Sequence, residues 1–251
     1  MLDLIKIAER AANDAQMIAF GYRSDAKVLS SIFKDIKTQA DLEMNECIVK
    51  VLKSTNIPII SEEIENTFDI IPAQCWIIDP LDGTYNFSRR FPCSAISISL
   101  WENNEPVLGV IKDIFTNSTF SCRSKNGSFQ DGVEIKVSEV SGVNDSILAT
   151  GFPSGASYLS NDLATFVKNV QSFKKVRAIG TASLMLSYVS AGIFDAYYEN
   201  DIYLWDVAAG LALVKEAGGK IYYRQKSGMK YEVLAANRNI FDEVKSLLIT
   251  T

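Results

Sequence analysis

Apolar residues recur every three or four positions near the start of the chain and predict an amphipathic first helix over residues 2–20. The same spacing at Leu42, Ile48, Val51 and Leu52 predicts a second helix over 40–54. Short apolar runs at 57–60 and 75–78 then predict two buried strands. The chain therefore begins as an α/β structure.

From residue 95 the pattern becomes that of paired strands. ISISLW, the polar turn ENNEP and VLGVIKDIF follow one another, and a further pair lies around 126–132, so we predict a hairpin-rich sheet. A break at 141–145 divides the chain into an N-terminal α+β half, residues 1–143, and a C-terminal α/β half, residues 144–251. In the second half we predict helices over 159–170, 182–191 and 206–217, strands at 195–198, 220–224 and 232–236, and a last helix from about residue 240.

Composition and charge favour a globular protein that acts on small molecules. Of 251 residues, 47% are hydrophobic and 22% charged, and the net charge of -5 argues against a nucleic-acid surface or a polybasic membrane anchor. Charged residues interrupt the first apolar stretch, no later run is long enough to cross a bilayer, and the four cysteines lie far apart. We expect a cytoplasmic protein with reduced thiols.

The absence of histidine limits the chemistry further. Ser-His-Asp and Cys-His catalysis and a His-ligated zinc site are excluded. Acids, bases and metal ligands must therefore come mainly from carboxylates, which suit hard cations such as magnesium, manganese or calcium.

The stretch CWIIDPLDGTYNF carries the first candidate site. Asp79 and Asp82 follow an apolar strand, and Pro80 between them predicts that the chain leaves the strand sharply at Asp79. Such a turn can gather both carboxylates and the carbonyl of Leu81 around one point, while the N–H groups beside Gly83 and Thr84 bind a phosphate. An ordinary Asp-Gly turn after a buried strand is the other interpretation of this stretch.

Two more acidic positions admit two interpretations each. Glu62 and Glu63 end the apolar run at 59–60, either as a solvated pair on a loop or with one of them in a metal site. Asp206 opens the helix DVAAGLALVKEAGG, either as its N-cap or as a metal ligand. Glu199, seven residues earlier, is placed to line the same cleft.

Two stretches of the chain resemble the two signatures of the inositol monophosphatase family: WIIDPLDGTYNF at 76–87 and LWDVAAGLALVKEAGG at 204–219. ISEE at 60–63, KNGSFQDG and the early Asp35-x-x-Thr38-x-x-Asp41 are similar to its shorter motifs, and all occur in the family order. The resemblance implies a layered α/β/α/β/α sandwich that hydrolyses a phosphate monoester with magnesium, most simply inositol 1-phosphate.

The resemblance also implies roles for individual residues. Two magnesium ions would be held by Glu62, Asp79, the carbonyl of Leu81, Asp82 and Asp206, with a weaker third ion near Asp41. Gly83 and Thr84 would hold the phosphate through their N–H groups, and Glu62 and Thr84 would orient and help deprotonate the attacking water. Gly180, Thr181, Ala182 and Glu199 would surround the leaving-group alcohol, beside Asp82 and Asp206.

A homodimer and inhibition by lithium are further implications of the resemblance. The same site in relatives of this type would suit fructose 1,6-bisphosphate, histidinol phosphate or a 3'-phosphonucleotide. A function of another class also stays open, in which the protein is a binding partner in a transcription or ribosome-assembly complex.

Overall fold

Two β-sheets with helices between and outside them organise the chain in the computed structural model, which describes residues 3–22, 28–32, 35–64, 71–152 and 166–249. The helices are α1 Leu4–Tyr22, α2 Gln39–Leu52, α3 Thr84–Ser88, α4 Ala182–Ser190, α5 Leu204–Glu216 and α6 Phe241–Leu248. The strands are β1 Val28–Ile32, β2 Asp35–Thr38, β3 Ile59–Ser61, β4 Gln74–Asp82, β5 Ala95–Glu102, β6 Glu105–Asp113, β7 Thr119–Arg123, β8 Ser128–Gln130, β9 Val133–Ile135, β10 Ile147–Thr150, β11 Lys175–Arg177, β12 Ala196–Tyr203, β13 Lys220–Ser227 and β14 Lys230–Ala236.

The larger sheet has seven strands in the order β3-β4-β5-β6-β7-β8-β9, with β3 and β4 parallel and the other neighbours antiparallel. The smaller sheet has five in the order β11-β10-β12-β14-β13. β1 and β2 form a separate hairpin. The first sheet is drawn from the predicted N-terminal half and the second from the C-terminal half, while the boundary at residue 143 stays a prediction.

Five layers follow from how apolar residues are distributed on the helices. α1 and α2 pack on one face of the seven-stranded sheet, and the alanines along α1 are fully buried there. α5 is apolar on all sides, as expected for a helix enclosed by protein, and lies with α4 between the two sheets. α6 covers the outer face of the five-stranded sheet with Phe241, Val244 and Leu248. The predicted α/β/α/β/α sandwich is confirmed.

Most predicted elements are found within a few residues of their expected bounds. The helix predicted over 159–170 lies partly outside the described residues, and residues 166–170 are helical. Within the part of the chain that the structure describes, no helix has the length and apolar character to cross a membrane.

Candidate active site

β4 carries two aspartates at its carboxyl end, but the chain does not leave the strand at Asp79 as the sequence predicted. The strand continues to Asp82, and its pairing with β5 shifts between Asp79, opposite Ser97, and Asp82. Pro80, which has no N–H to donate, lies in this bulge, where the ladder of hydrogen bonds is interrupted. The prediction of a turn at Asp79 is therefore wrong, because a bulge absorbs the proline.

Three carboxylates from three elements meet beside this bulge. Glu62 follows β3, the parallel neighbour of β4, and its N–H donates to the carbonyl of Ile78 at 3.3 Å. Asp206 lies in the first turn of α5. Oxygen atoms of Glu62, Asp79 and Asp206 all lie within 4.8 Å of one another, which defines what we call the acid cluster. Oxygen ligands at this spacing fit a hard divalent cation.

The electrostatics of the acid cluster favour binding of a positive charge, either a proton or a cation. Burial raises the pKa of Asp79 well above its ordinary value, and the carboxylates of Glu62, Asp82 and Asp206 raise it further. Burial likewise raises the pKa of Asp206, as do its acidic neighbours, beginning with Glu62. All charged side chains among the described residues lining the cleft are carboxylates. A bound cation would remove this repulsion, so the donor set fits a metal.

Asp82 lies next to the acid cluster and is held from the opposite layer. Its Oδ2 accepts hydrogen bonds from the Thr181 hydroxyl at 2.5 Å, from the N–H of Ser183 at 2.8 Å and from the Ser183 hydroxyl. Burial raises the pKa of Asp82, and the bonds from Ser183 and Thr181 oppose that rise. The carboxylate is thus fixed in place by the amino end of α4.

Gly83 and Thr84 form the amino end of the short helix α3 and line the same cleft. Gly83 has a φ of 81°, in the left-handed region, and a Cβ there would lie 3.0 Å from the carbonyl oxygen of Cys93. The first N–H groups of a helix have no acceptor within it, so they are available to an anion. The predicted phosphate-binding residues therefore lie beside the acid cluster.

Asp41 contacts Thr84 rather than the acid cluster. The Thr84 hydroxyl lies 2.9 Å from Oδ1 of Asp41, and Oδ2 of Asp41 accepts from the backbone N–H of Thr38 at 2.8 Å and from its hydroxyl at 2.5 Å. Burial raises the pKa of Asp41 to about 6. The predicted place of Asp41 near a third metal ion stays a prediction.

The opposite wall of the cleft holds the residues predicted to contact the leaving group. Gly180, Thr181, Ala182 and Glu199 all line it. A bulge in β12 between Glu199 and Ile202 brings both of these side chains to the cleft. The Tyr197 hydroxyl donates to Oε1 of Glu199 at 3.0 Å, and burial raises the pKa of Glu199 to about 8.

The structure places the acids for which two interpretations were left open, while their role as metal ligands stays a prediction. Glu62 lines the cleft, whereas Glu63 is paired with Lys37 of β2. The N-cap of α5 is Tyr203, so the interpretation of Asp206 as an N-cap is wrong. The helix begins two residues earlier than expected because Leu204 and Trp205 are buried in its first turn.

Several residues that line the cleft, or that lie behind it and bond to its acids as Tyr197 and Ser183 do, were not predicted from the sequence. Gly151 lies against Glu199, and a Cβ there would come within 2.6 Å of Oε1 of that glutamate. The contact of Tyr197 with Glu199 could have been predicted from the sequence, because residues two apart on a strand lie on the same face. Ser183 carried no such signal, because its partner Asp82 is 101 residues away. Four further residues of the lining are Tyr85, Phe152, Met185 and Ile202.

Comparison with known proteins agrees with this geometry. The model of the inositol monophosphatase family matches residues 2–248. Inositol-1-monophosphatase of Synechocystis sp. is 32% identical over 86% of this chain and 78% of its own length. Nus factor SuhB of Xylella fastidiosa is 35% identical over 86% of this chain and 80% of its own. The structure of inositol monophosphatase from Anabaena (Nostoc) sp. has a TM-score of 0.84 and 29% identity, covering 98% of this chain and 94% of its own.

Proposed function

The chain belongs to the inositol monophosphatase family of phosphoric monoester hydrolases, and we propose that it hydrolyses inositol 1-phosphate to inositol and phosphate with magnesium. One observation carries the proposal. The acid cluster of Glu62, Asp79 and Asp206 lies in the same cleft as Gly83 and Thr84, so a cation site and an anion site adjoin.

Magnesium would be held by Glu62, Asp79, the carbonyl of Leu81, Asp82 and Asp206, in two sites. When bound, magnesium neutralises phosphate oxygens, lowers the pKa of a water molecule and stabilises the departing alkoxide. The raised pKa of the buried Asp79 supports these ligands. Among the described residues that line the cleft, no side chain is positively charged. A weaker third ion near Asp41 has less support, since both oxygens of Asp41 already accept hydrogen bonds.

The protein's own groups would bind the phosphate and direct the water. The N–H groups of Gly83 and Thr84 would donate to phosphate oxygens. Thr84 would orient the attacking water together with Glu62, and the Thr84 hydroxyl would pass its proton to Asp41 as the water loses one to Thr84. The 2.9 Å separation between Thr84 Oγ1 and Asp41 Oδ1 supports this relay.

The leaving-group wall favours an alcohol with hydroxyls and no second phosphate. Oε1 of Glu199 accepts a hydrogen bond from the Tyr197 hydroxyl, so its Oε2 would accept hydrogen bonds from ring hydroxyls. The cleft encloses ≈ 250 Å³, below the usual ligand-site range of about 300–1,000 Å³, and its described lining has no lysine or arginine. Fructose 1,6-bisphosphate and 3'-phosphonucleotides would bring further negative charge to this acidic wall. Histidinol phosphate, whose leaving group is cationic, is the stronger alternative.

A second candidate function is favoured by the identity of 35% to a protein named Nus factor SuhB. In that role the chain would be a binding partner in a transcription or ribosome-assembly complex, with catalysis secondary. Its net charge of -5 favours contact with a protein over direct contact with nucleic acid. A homodimer, a cytoplasmic location and inhibition by lithium accompany the first candidate as predictions.

The proposal is tested by measuring phosphate release from four substrates, each with magnesium and with a chelator. They are inositol 1-phosphate, fructose 1,6-bisphosphate, histidinol phosphate and 3'-phosphoadenosine 5'-phosphate. We expect preferred release from inositol 1-phosphate that disappears on chelation. Asp82→Asn is the control, because it should abolish release while leaving a pure binding role intact. No release from any substrate by the wild-type protein would overturn the proposed hydrolysis and favour the binding role.

A further inference from the structure

We infer that Ser183 is a positioning residue for Asp82, and this inference rests on the cation site of the proposed function. Ser183 is fully buried and is the second residue of α4, which lies between the two sheets. Both its N–H and its hydroxyl donate to Oδ2 of Asp82, on β4 of the seven-stranded sheet. Ser183 thus connects the middle helical layer to the carboxylate beside the acid cluster.

The number of donors determines which oxygen of Asp82 remains for a cation. Each carboxylate oxygen accepts about two hydrogen bonds. Oδ2 receives three donors, two from Ser183 and one from the Thr181 hydroxyl at 2.5 Å. Its accepting capacity is therefore used, and Oδ1 is the atom that Asp82 can offer to a cation. The Thr181 hydroxyl and the Ser183 N–H already fill this capacity, so the part of the Ser183 hydroxyl is to restrain the orientation of the carboxylate.

The hydrogen bond to Asp82 accounts for the presence of a hydroxyl at this buried position. Burying a hydroxyl costs free energy unless it is hydrogen-bonded, and alanine would fill a helix position without that cost. The hydrogen bond of the Ser183 hydroxyl to a carboxylate is charge-assisted and so stronger than one between neutral groups. The partial positive charge at the amino end of α4 acts on the same carboxylate. Groups that orient a metal ligand in this way change the metal affinity when they are removed.

The chain offers a matched control in Ser187, one turn further along α4. Ser187 is also fully buried, and its hydroxyl donates to the carbonyl of Ser183 at 2.9 Å. Removing it takes one hydroxyl from the same helix without touching Asp82. A comparison of the two serines therefore separates an effect on Asp82 from a general loss of packing.

The test measures binding of Mn²⁺ to the full chain without substrate, from the electron paramagnetic resonance signal of the free ion. Carboxylate oxygens accept Mn²⁺ as readily as Mg²⁺. We expect Ser183→Ala to bind Mn²⁺ about tenfold more weakly, and Ser183→Thr, which keeps the hydroxyl, and Ser187→Ala to stay within about twofold of wild type. Should Ser183→Ala fail to fold, Ser183→Cys replaces it, since a thiol is a much weaker donor of similar size.

Three results would overturn the inference. Equal Mn²⁺ affinity for wild type and Ser183→Ala would show that Ser183 does not act on the cation site. An equal loss in Ser183→Ala and Ser187→Ala would show a packing effect only. A loss in Ser183→Thr as large as in Ser183→Ala, with the Tm of Ser183→Thr equal to that of wild type, would show that the hydroxyl is not the group that matters. The proposed function fails separately, if the wild-type protein binds no Mn²⁺ or releases no phosphate.

Discussion

The hydroxyl oxygen of Thr84 lies 2.9 Å from Oδ1 of Asp41 and 2.9 Å from the carbonyl oxygen of Leu81. Its single proton can go to either acceptor, and the carboxylate is the stronger one. Thr38 fixes the other oxygen of Asp41 through its N–H and hydroxyl. The pair is therefore arranged so that Thr84 can draw a proton from a water molecule and transfer its own to Asp41.

Asp41→Asn should lower kcat for phosphate release by about a hundredfold or more, because an amide cannot take up the Thr84 proton. Thr84→Val should have a similar effect, while Thr84→Ser keeps the hydroxyl and most of the activity. In the wild type, activity should fall as the pH drops below about 6, where Asp41 becomes protonated. If Asp41→Asn instead lost one bound Mn²⁺ per chain with kcat restored at high Mn²⁺, Asp41 would be a metal ligand.

The substrate-side prediction concerns Glu199 and its neighbour Tyr197. Below its pKa of about 8 the buried Glu199 is protonated, and above it the carboxylate accepts hydroxyl hydrogen bonds more strongly. The KM for inositol 1-phosphate should therefore fall as the pH rises from about 7 to about 9, and Glu199→Gln should abolish this dependence.

Tyr197→Phe should raise the same KM several-fold with little change in kcat, since it releases Glu199 from its fixed orientation. Tyr198→Phe is the matched control. Tyr198 is the next residue of β12, and its hydroxyl donates to Glu232 instead. Equal effects of the two substitutions on KM would mean that Tyr197 acts only through packing.

Much of the fold and the site could be predicted from the sequence because its strongest signals are local. The apolar stretch before Asp79 predicted β4, and the pattern after Asp206 predicted the helix α5. The continuation of β4 to Asp82 could not be predicted, since the bulge depends on pairing with β5. Neither could the bonds from Ser183 to Asp82, which join residues 101 positions apart. Residue pairs of that kind are set by how the layers stack.

The acid cluster should make the metal-free protein less stable at neutral pH. The pKa of Asp79 is raised above 3.8 on folding, so its contribution to stability is complete below about 3.8 and is lost as the pH rises through the folded pKa. Asp79→Asn removes a carboxyl group whose ionised form is destabilised in the fold. We expect it to raise the Tm of the chelated protein at neutral pH by about 2–4 °C, the shift for about 1 kcal/mol in a chain of this size, while abolishing catalysis.

Magnesium should raise the Tm of the wild type and have much less effect on Asp79→Asn, because the variant lacks a ligand. Asp242→Asn is the control, since Asp242 is exposed and its pairing with Lys220 at the surface contributes little. A Tm of the chelated wild type equal to that of Asp79→Asn would contradict the predicted repulsion.

The ion pair between Lys37 and Glu63 is expected to stabilise the turn that carries Glu62. The Glu63 side chain is only 5% exposed, whereas Lys37 is 39% exposed. Lys37→Met would leave a nearly buried carboxylate without its counter-charge and should cost about 1–3 kcal/mol of unfolding free energy by denaturant titration. Lys174→Met, which breaks a pair exposed by 60% and 66%, should cost at most about 1 kcal/mol.

The double variant Lys37→Met with Glu63→Gln separates the charge from the packing of the lysine stem. If the uncompensated carboxylate is the cause, the neutral amide should recover most of the lost stability. Because Glu62 adjoins Glu63, Lys37→Met should also raise the magnesium concentration needed for half-maximal activity, and the double variant should reverse part of that rise. A loss of stability that persists unchanged in the double variant would assign the effect to the aliphatic part of Lys37 and remove the electrostatic link to the cation site.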